Sequence, residues 1–467
     1  MGKTKRAKRR FYLGVDIGGT KIQAILVDSA GVILHRARTP TPQGDDPELV
    51  LAAAEELMGQ LVGQANRAIS EVSAIGAAVA GVVDPKKGRV VFAPNMSLTG
   101  VELGPRWEKR FGVPVAVGND TNLGTLAERW LGAARKARSA FGIFVGTGIG
   151  GGLILRNRLW RGARESAAEI GHIVMEMNGP ECGCRNRGCL EALASRTAIE
   201  RQLRQAIQNG RHSILTELTG GDLQRIRSGV LRQALAAGDA LVQEVLARAA
   251  EVLGYACLTV RHLVDPEVII LGGGVIEACG HFMVPIVQKI VEGDRLAGAR
   301  PGGQVLVSAL GDDAVALGAA ALAARKIGRN PLKKRFALLP KYPKLRLRPD
   351  NHITTQKQTY DQDFYVLASG KIKNRQQDLL GGENTSGRVL SLAEMEKLAE
   401  GGPEVVFVGL GFPGASESGP LELAPETHEY LRLRAIGLEV LPTPEAVQAF
   451  NQCKKRKAGL FHLGQPG

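Results

Sequence analysis

At 467 residues the chain is long enough for two or three domains, and 44% apolar with 23% charged residues is the balance of a soluble globular protein, not of a disordered one. Net charge is +14, but residues 1–10 and 325–349 together hold sixteen Lys or Arg and no acid, so the remainder is close to neutral. A solubilising tail and a solvated linker are therefore expected ahead of a nucleic-acid-binding face.

Apolar runs stop short of a membrane span and are broken by charges. The basic start leads into a strand rather than an apolar signal segment, and MGKTKR lacks the Ser or Thr that myristoylation needs at position six. A cytoplasmic protein is expected.

FYLGVDIGGTKIQAILVD (11–28) reads as strand, Gly-rich turn, strand. Lys21 follows Thr20, but the spacing G-x4-G-K-[ST] is absent, so this is no P-loop. Turn glycines can offer backbone N–H groups to phosphate, and Asp16 at the strand end can hold hydrated Mg²⁺; a plain hairpin turn is the alternative. Residues 46–68 have helical spacing, 72–84 read as a strand ending in a Gly turn, and VFAPNMSL (91–98) as a loop. PVAVGNDTNLGTLAERWLGA (114–133) runs strand, turn, helix, with Asn119 and Asp120 at the strand's end. Asp120 fits either a general base or the N-cap of that helix.

FGIFVGTGIGGGLIL (141–155) is a second strand, Gly turn, strand unit with Thr147 in its turn. Two such hairpins suggest a duplicated fold whose halves both face one nucleotide's phosphates. His172, Cys182, Cys184 and Cys189 form H-x9-C-x-C-x4-C. One His and three Cys saturate tetrahedral zinc, which makes the site structural; a disulfide or free thiols are the alternatives. Such clustered thiols fit a reducing compartment. Glu169 and Glu191 flank this knot and could accept bonds from a polyhydroxylated ligand. Helical stretches follow at 191–210 and 230–264, then VIILGGGV (268–275), a buried strand opening onto three glycines, and a Gly- and Ala-rich closing helix at 311–328.

In this order DIGGTK, GND-TN, GTGIGGG, EIGH, C-x-C-x4-C-LE and LGGGV resemble the ROK family of bacterial sugar kinases and repressors, over about 11–325. The resemblance implies a two-lobed α/β fold, actin-like and ribonuclease-H-like, with ATP and a hexose in the cleft. It assigns Asp16, Gly18, Gly19, Thr20 and Lys21 to ATP phosphate and Mg²⁺, Gly146, Thr147 and Gly148 to a second phosphate loop, and Gly272, Gly273 and Gly274 to adenosine. Asp120 becomes the base, with Asn95, Asn119, Glu169, His172 and Glu191 on the sugar, and the zinc set orients the two glutamates. Glucose is the expected substrate and a homodimer the expected assembly. Departures from the family pattern are Ala80, Ala168 and Gly118. Family repressors carry a winged helix-turn-helix before DIGGT, and only fifteen residues precede Asp16, which favours the kinase.

Residues 326–352 read as a basic, Pro-rich linker and 353–467 as a small α/β domain. This domain is similar to a family of unknown biochemical role that includes mitochondrial respiratory-complex assembly factors. The resemblance rests on a strand into GxG, T-P-E-A, Asn451 and a terminal strand with His462, whereas the family's Thr-Cys ending is replaced by Gly464-Gln465. The kinase is expected to work without this domain.

Overall fold

A computed structural model describes residues 10–296, 303–333, 338–376, 389–412 and 421–463. The basic tail up to residue 9 and the Gly464-Gln465 ending lie outside them.

The first hairpin forms as its sequence predicts. Phe11–Ile17 (β1), Lys21–Asp28 (β2) and Ile33–Pro40 (β3) make an antiparallel meander. Pro47–Gln64 (α1) packs on it, capped by the Asp46 side chain. Ala74–Val79 (β4) then pairs parallel to β1. A short hairpin follows, Val82–Asp84 (β5) and Arg89–Phe92 (β6), then Leu103–Phe111 (α2) and Val115–Asn119 (β7), giving the order β3-β2-β1-β4-β7.

Asp120–Trp130 (α3) leads from this lobe into the next. There Ala140–Val145 (β8), Ile149–Leu155 (β9), Arg158–Trp160 (β10), Val268–Gly272 (β11) and Gln304–Val307 (β12) repeat the pattern in the order β10-β9-β8-β11-β12. Three antiparallel strands and two parallel ones recur in each lobe, so the duplication read from the two Gly hairpins is a duplication of whole sheets.

Helices Leu190–Ala194 (α4), Arg196–Gln208 (α5), Leu215–Leu218 (α6), Ser228–Ala236 (α7), Ala240–Val264 (α8) and Gly274–Glu292 (α9) build the second lobe. Among the described residues α9 alone is long and apolar enough to cross a membrane, but it contains Pro285 and nine buried residues packed in this lobe's core.

Ala314–Lys326 (α10) returns to the first lobe and lies on β1 and β4. Glycines permit that approach. A Cβ on Gly14 would stand 2.0 Å from the Ala316 carbonyl oxygen, one on Gly76 1.8 Å from that of Ala319, and one on Gly318 1.8 Å from that of Leu123. Residues 311–328, read as one closing helix, are a short 3-10 turn at 311–313 followed by α10.

The C-terminal region has small strands Arg346–Leu347 (β13), Ile353–Thr354 (β14) and Thr359–Tyr360 (β15) ahead of its main sheet. Phe364–Val366 (β16), Ile372–Asn374 (β17), Val389–Leu390 (β18), Val405–Gly409 (β19), Glu422–Leu423 (β20), Gly437–Leu441 (β21) and Lys457–Phe461 (β22) follow. The main sheet has the order β17-β16-β22-β19-β21. Leu392–Ala399 (α11), Glu426–Leu433 (α12) and Thr443–Gln452 (α13) cover its two faces over separate cores.

One expectation needs correcting here. Part of the presumed linker belongs to this domain: Leu345 is buried in its core, Asn451 clamps the Leu345 backbone at 2.7 and 3.0 Å, and Tyr342 donates to the Ala368 carbonyl at 3.0 Å. Leu345 and Tyr342 carry enough apolar surface to dock, which a reading based on charge overlooked. His462, just past β22, is mostly buried and pairs with Asp363 at 2.7 Å. Asp363 also accepts from the buried Arg375 at 3.0 Å, and Arg375 donates to Glu394 at 2.8 Å. Each buried charge there is answered.

Candidate active site in the interlobe cleft

Strand β7 delivers Asn119 and helix α3 delivers Asp120, and the helix start separates their roles. Asn119 is the N-cap: its Oδ1 accepts from the Asn122 backbone at 3.0 Å and from Thr121 Oγ1 at 2.9 Å, while Nδ2 donates to the Gly81 carbonyl at 3.1 Å. The capping role open to Asp120 in the sequence thus falls to its neighbour. Asp120 Oδ1 accepts from Asn119 Nδ2 at 2.9 Å and from the Thr121 backbone at 2.8 Å. Both bonds fall on one oxygen, which leaves Oδ2 open as a proton acceptor. Burial, opposed by these bonds and raised further by Glu169, pushes Asp120 up to about 6. A base with such a value is ionised and still basic near neutrality.

Asp16 ends β1 beside it. Burial first, and then the Asp120 carboxylate, push Asp16 up to about 7, and Lys21 works in the opposite direction. Two crowded carboxylates of this kind are relieved by a cation. The turn beyond Asp16 is closed by a Gly18 N–H to Lys21 carbonyl bond at 3.0 Å, and Thr20 is exposed at its tip. Lys21 points to Asp312 at 3.2 Å, a partner on the approach to α10 that the local sequence did not indicate. Asn95, in the 91–98 loop, lies against the first Gly turn: a Cβ on Gly19 would stand 3.1 Å from its Cβ.

In the second lobe Gly146, Thr147 and Gly148 turn between β8 and β9, with the Gly146 N–H bonded to the Gly148 carbonyl at 2.9 Å. Arg196, at the start of α5, donates to Thr147 Oγ1 at 2.8 Å, and Thr197 Oγ1 donates to the Thr147 carbonyl at 2.8 Å. Neither was singled out in the sequence, although both directly follow the α5 N-cap Ser195. Gly148 lies close under the Glu191 carboxylate, where a Cβ would stand 2.3 Å from Oε2, which also accepts from the Ile149 backbone at 2.9 Å.

Gly272 and Gly273 are packing positions, against Phe144 and the Val145 carbonyl respectively, and Gly273 holds φ 87°. Gly274 opens α9 with only Ser228 Oγ near its Cβ position, at 3.5 Å, so of the three it has the open face that a flat ring would need.

Asn95, Thr147, Gly148, His172 and Glu191 share the wall of one cavity of about 440 Å³. Asn119 and Glu169 line a second, small cavity beside it. Burial raises Glu169, with His172 lowering and Glu191 raising it.

His172, Cys182, Cys184 and Cys189 converge: one donor atom from each lies within 4.8 Å of the others. Cys184 Sγ to Cys189 Sγ is 3.7 Å, as is Cys182 Sγ to His172 Nδ1. The thiols are unbonded at that separation, which matches the edge of about 3.8 Å in a tetrahedron with zinc–sulfur bonds. The donor set and its spacing therefore fit Zn²⁺. Backbone bonds from Cys182 N–H to Asn186 and from Gly188 N–H to Pro180, both 2.8 Å, shape the knuckle. His172 turns Nδ1, rather than Nε2, to the Cys182 thiol.

Two matched sheets, a Gly turn from each facing one cleft and a carboxylate at a helix start define a two-lobed ATP-dependent phosphotransferase of the actin-like class. Residues 12–326 match the ROK family model. A glucokinase of Thermotoga maritima is 34% identical over 68% of this chain and 98% of its own length. A ROK family glucokinase from Streptomyces griseus, solved with glucose and AMPPNP, superposes with a TM-score of 0.60 at 33% identity, over 68% of this chain and 99% of its own. A xylose repressor of Caldicellulosiruptor bescii is 27% identical over 66% of this chain and 77% of its own length. The chain belongs to the ROK family.

Proposed function

We propose that this chain transfers the γ-phosphoryl group of ATP to the 6-hydroxyl of glucose. The observation that carries this reading is Asp120, fixed through Oδ1 at the start of α3 and open at Oδ2. Asp120 Oδ2 takes the hydroxyl proton as the sugar oxygen attacks phosphorus. Glu169, Glu191, His172 and Asn95 hold the other hydroxyls, and Asn119 acts by placing Asp120. Gly18 and Gly146 close the two turns through their own N–H groups, so that the backbone N–H groups of Gly19, Thr20, Thr147 and Gly148 bind phosphate, and Gly272, Gly273 and Gly274 line the adenosine side, with the open face at Gly274. Asp16 would hold Mg²⁺, which when bound neutralises phosphate charge. Zn²⁺ on the His172 and Cys set would fix the loop so that Glu169 and Glu191 keep their direction. The glucokinase relatives, similar over nearly their whole length, support glucose as the sugar and ATP as the donor. A homodimer remains part of the proposal, and residues 11–325 form its catalytic unit.

The test is ADP release with ATP and Mg²⁺ across a panel of hexoses and N-acetylhexosamines. One sugar is expected to reach kcat/KM of roughly 10⁴ M⁻¹s⁻¹ or more. Silence across the panel from folded, zinc-loaded protein would favour a sugar sensor, the class to which the xylose repressor relative belongs.

A further inference from the structure

Between β10 and Glu169 the chain holds two residues in left-handed backbone that favours glycine, Glu165 at φ 58° and Ala168 at φ 68°. Strain of this kind persists where the surroundings fix it. The loop is closed by the Ala167 N–H bonded to the Arg161 carbonyl at 2.9 Å. Glu165 Oε2 is buried without a hydrogen-bond partner, and Arg161 Nε stands off at 3.8 Å. Both side chains line the small cavity with Asn119, Glu169, Gly81 and Gly118. Its volume of about 20 Å³ has room for one hydroxyl or water. A buried carboxylate oxygen without a donor is costly until a donor arrives.

We propose that Glu165, steadied by Arg161, is a specificity-determining residue that accepts a hydrogen bond from one hydroxyl of the bound hexose. The proposal rests on reading the cleft as a hexose site. Glu165→Gly tests it, because glycine suits φ 58° and the variant should melt at or above the parent's Tm. Its KM for glucose is expected to rise about tenfold, with kcat within about threefold. Across singly deoxygenated glucoses, one should be handled equally by parent and variant, which identifies the hydroxyl. A well-folded variant with the parent's KM for every sugar would overturn the proposal. If the parent itself turns over no hexose, the kinase reading has failed instead. Calorimetric glucose affinity of the two proteins then decides Glu165, and equal affinities sink it.

A different set of contacts concerns the C-terminal domain. Two segments cross between the lobes, 131–139 from α3 to β8 and 308–313 from β12 to α10. The buried Glu128 ties them together, accepting from Ala133 N–H at 2.7 Å, Ser308 Oγ at 2.7 Å and Leu310 N–H at 3.0 Å. The C-terminal domain covers both crossings. Gly402 has no room for a Cβ, which would stand 2.3 Å from the Leu131 carbonyl and 3.0 Å from Leu310, and Arg135 donates to the Ala435 carbonyl at 3.0 Å. The domain also reaches each lobe. Arg456 donates to the carbonyls of Ala30 and Gly31, at 2.8 and 3.3 Å, in the β2–β3 turn. Leu433 joins the core of the second lobe.

We infer that this domain is a clamp across the hinge that holds the lobes near their present separation. A body attached on both sides of a hinge has to yield when the lobes rotate. In the full chain, Arg135→Ala with Arg456→Ala should loosen the docking, seen as faster protease cleavage within 326–345. Glucose-induced compaction in small-angle scattering should grow, and glucose KM should fall about threefold or more with kcat less affected. Unchanged KM and compaction in a loosened domain would overturn the inference. Unchanged cleavage would overturn it too, since these contacts would then not hold the domain. Arg456→Ala alone serves if the double variant fails to fold.

Discussion

Asn119 caps helix α3 and its Nδ2 donates to Oδ1 of Asp120 at 2.9 Å, so the residue that ends β7 aims the residue that starts the helix. Three further bonds fix Asn119 itself, to Asn122, Thr121 and Gly81. Thr121 Oγ1 lies 2.9 Å from both Asn119 Oδ1 and the Gly151 carbonyl, and its single O–H is shared between them, which ties this corner to β9 of the other lobe. The placement of Asp120 is therefore a property of both sheets.

Removing the base while keeping this frame isolates its chemistry. Asp120→Asn should lower kcat by about 10²–10⁴-fold and leave glucose affinity within about tenfold. Steady-state kinetics beside glucose calorimetry checks this, and a near-normal kcat would take Asp120 out of the reaction. Asn119→Ala should instead cost about 1 kcal/mol of stability through the lost cap, together with a fall in kcat from a misaimed Asp120.

The acidic pair carries a pH signature. Asp16 is pushed up to about 7 and Asp120 to about 6, both above the ordinary value of 3.8. Between pH 4 and these values the folded state keeps protons that the unfolded chain has released. Stability from this pair is therefore fully present below about pH 4 and is lost as pH rises through 6 to 7. A cation at Asp16 reverses that loss, so Mg²⁺ should raise Tm more at pH 7.5 than at pH 5, and Asp16→Asn should abolish the difference. An equal Mg²⁺ effect at both pH values would place the cation elsewhere. On the same grounds kcat should fall below about pH 6 as Asp120 takes up its proton.

The metal knuckle makes a compositional prediction. Cys184→Ser removes one of four donors lying within 4.8 Å of each other. Zinc measured by mass spectrometry should drop from one per chain to well below one, and activity should fall with it because Glu169 and Glu191 lose their support. Full zinc content in Cys184→Ser would contradict this ligand set. Chelation of the parent should reproduce the loss, and added zinc should restore it.

Motifs whose chemistry is local were legible in the sequence: the two Gly hairpins, the start of α3 and the His172–Cys189 spacing all lie within short stretches. What could not be read depends on distant pairing. Lys21 reads as a phosphate ligand, and its ion pair with Asp312, 291 positions later and 3.2 Å away, could not be read from the local motif. Gly272 and Gly273 read as adenosine glycines, and the neighbours their missing side chains make room for, Phe144 and Val145, lie far along the chain. Ala168 stood out as an exchange for glycine, but its cost is visible only in φ 68°. The linker was misjudged because ten basic residues in 325–349 masked Tyr342 and Leu345, whose partners Ala368 and Asn451 lie far along the chain.

Glycine positions give a paired stability test of how α10 is seated. Gly76 faces the Ala319 carbonyl so closely that a Cβ would stand 1.8 Å from its oxygen, whereas a Cβ on Gly59 in α1 would meet nothing within 4 Å. Gly76→Ala should destabilise by about 1–3 kcal/mol, because backbone on both sides has to move. Gly59→Ala should stabilise by about 0.5–1 kcal/mol through helix propensity alone. Urea unfolding measures both. Gly76→Ala should also reduce kcat, since α10 rests on β1, whose end carries Asp16. Equal and small effects at the two sites would mean that α10 does not lie this close to β4.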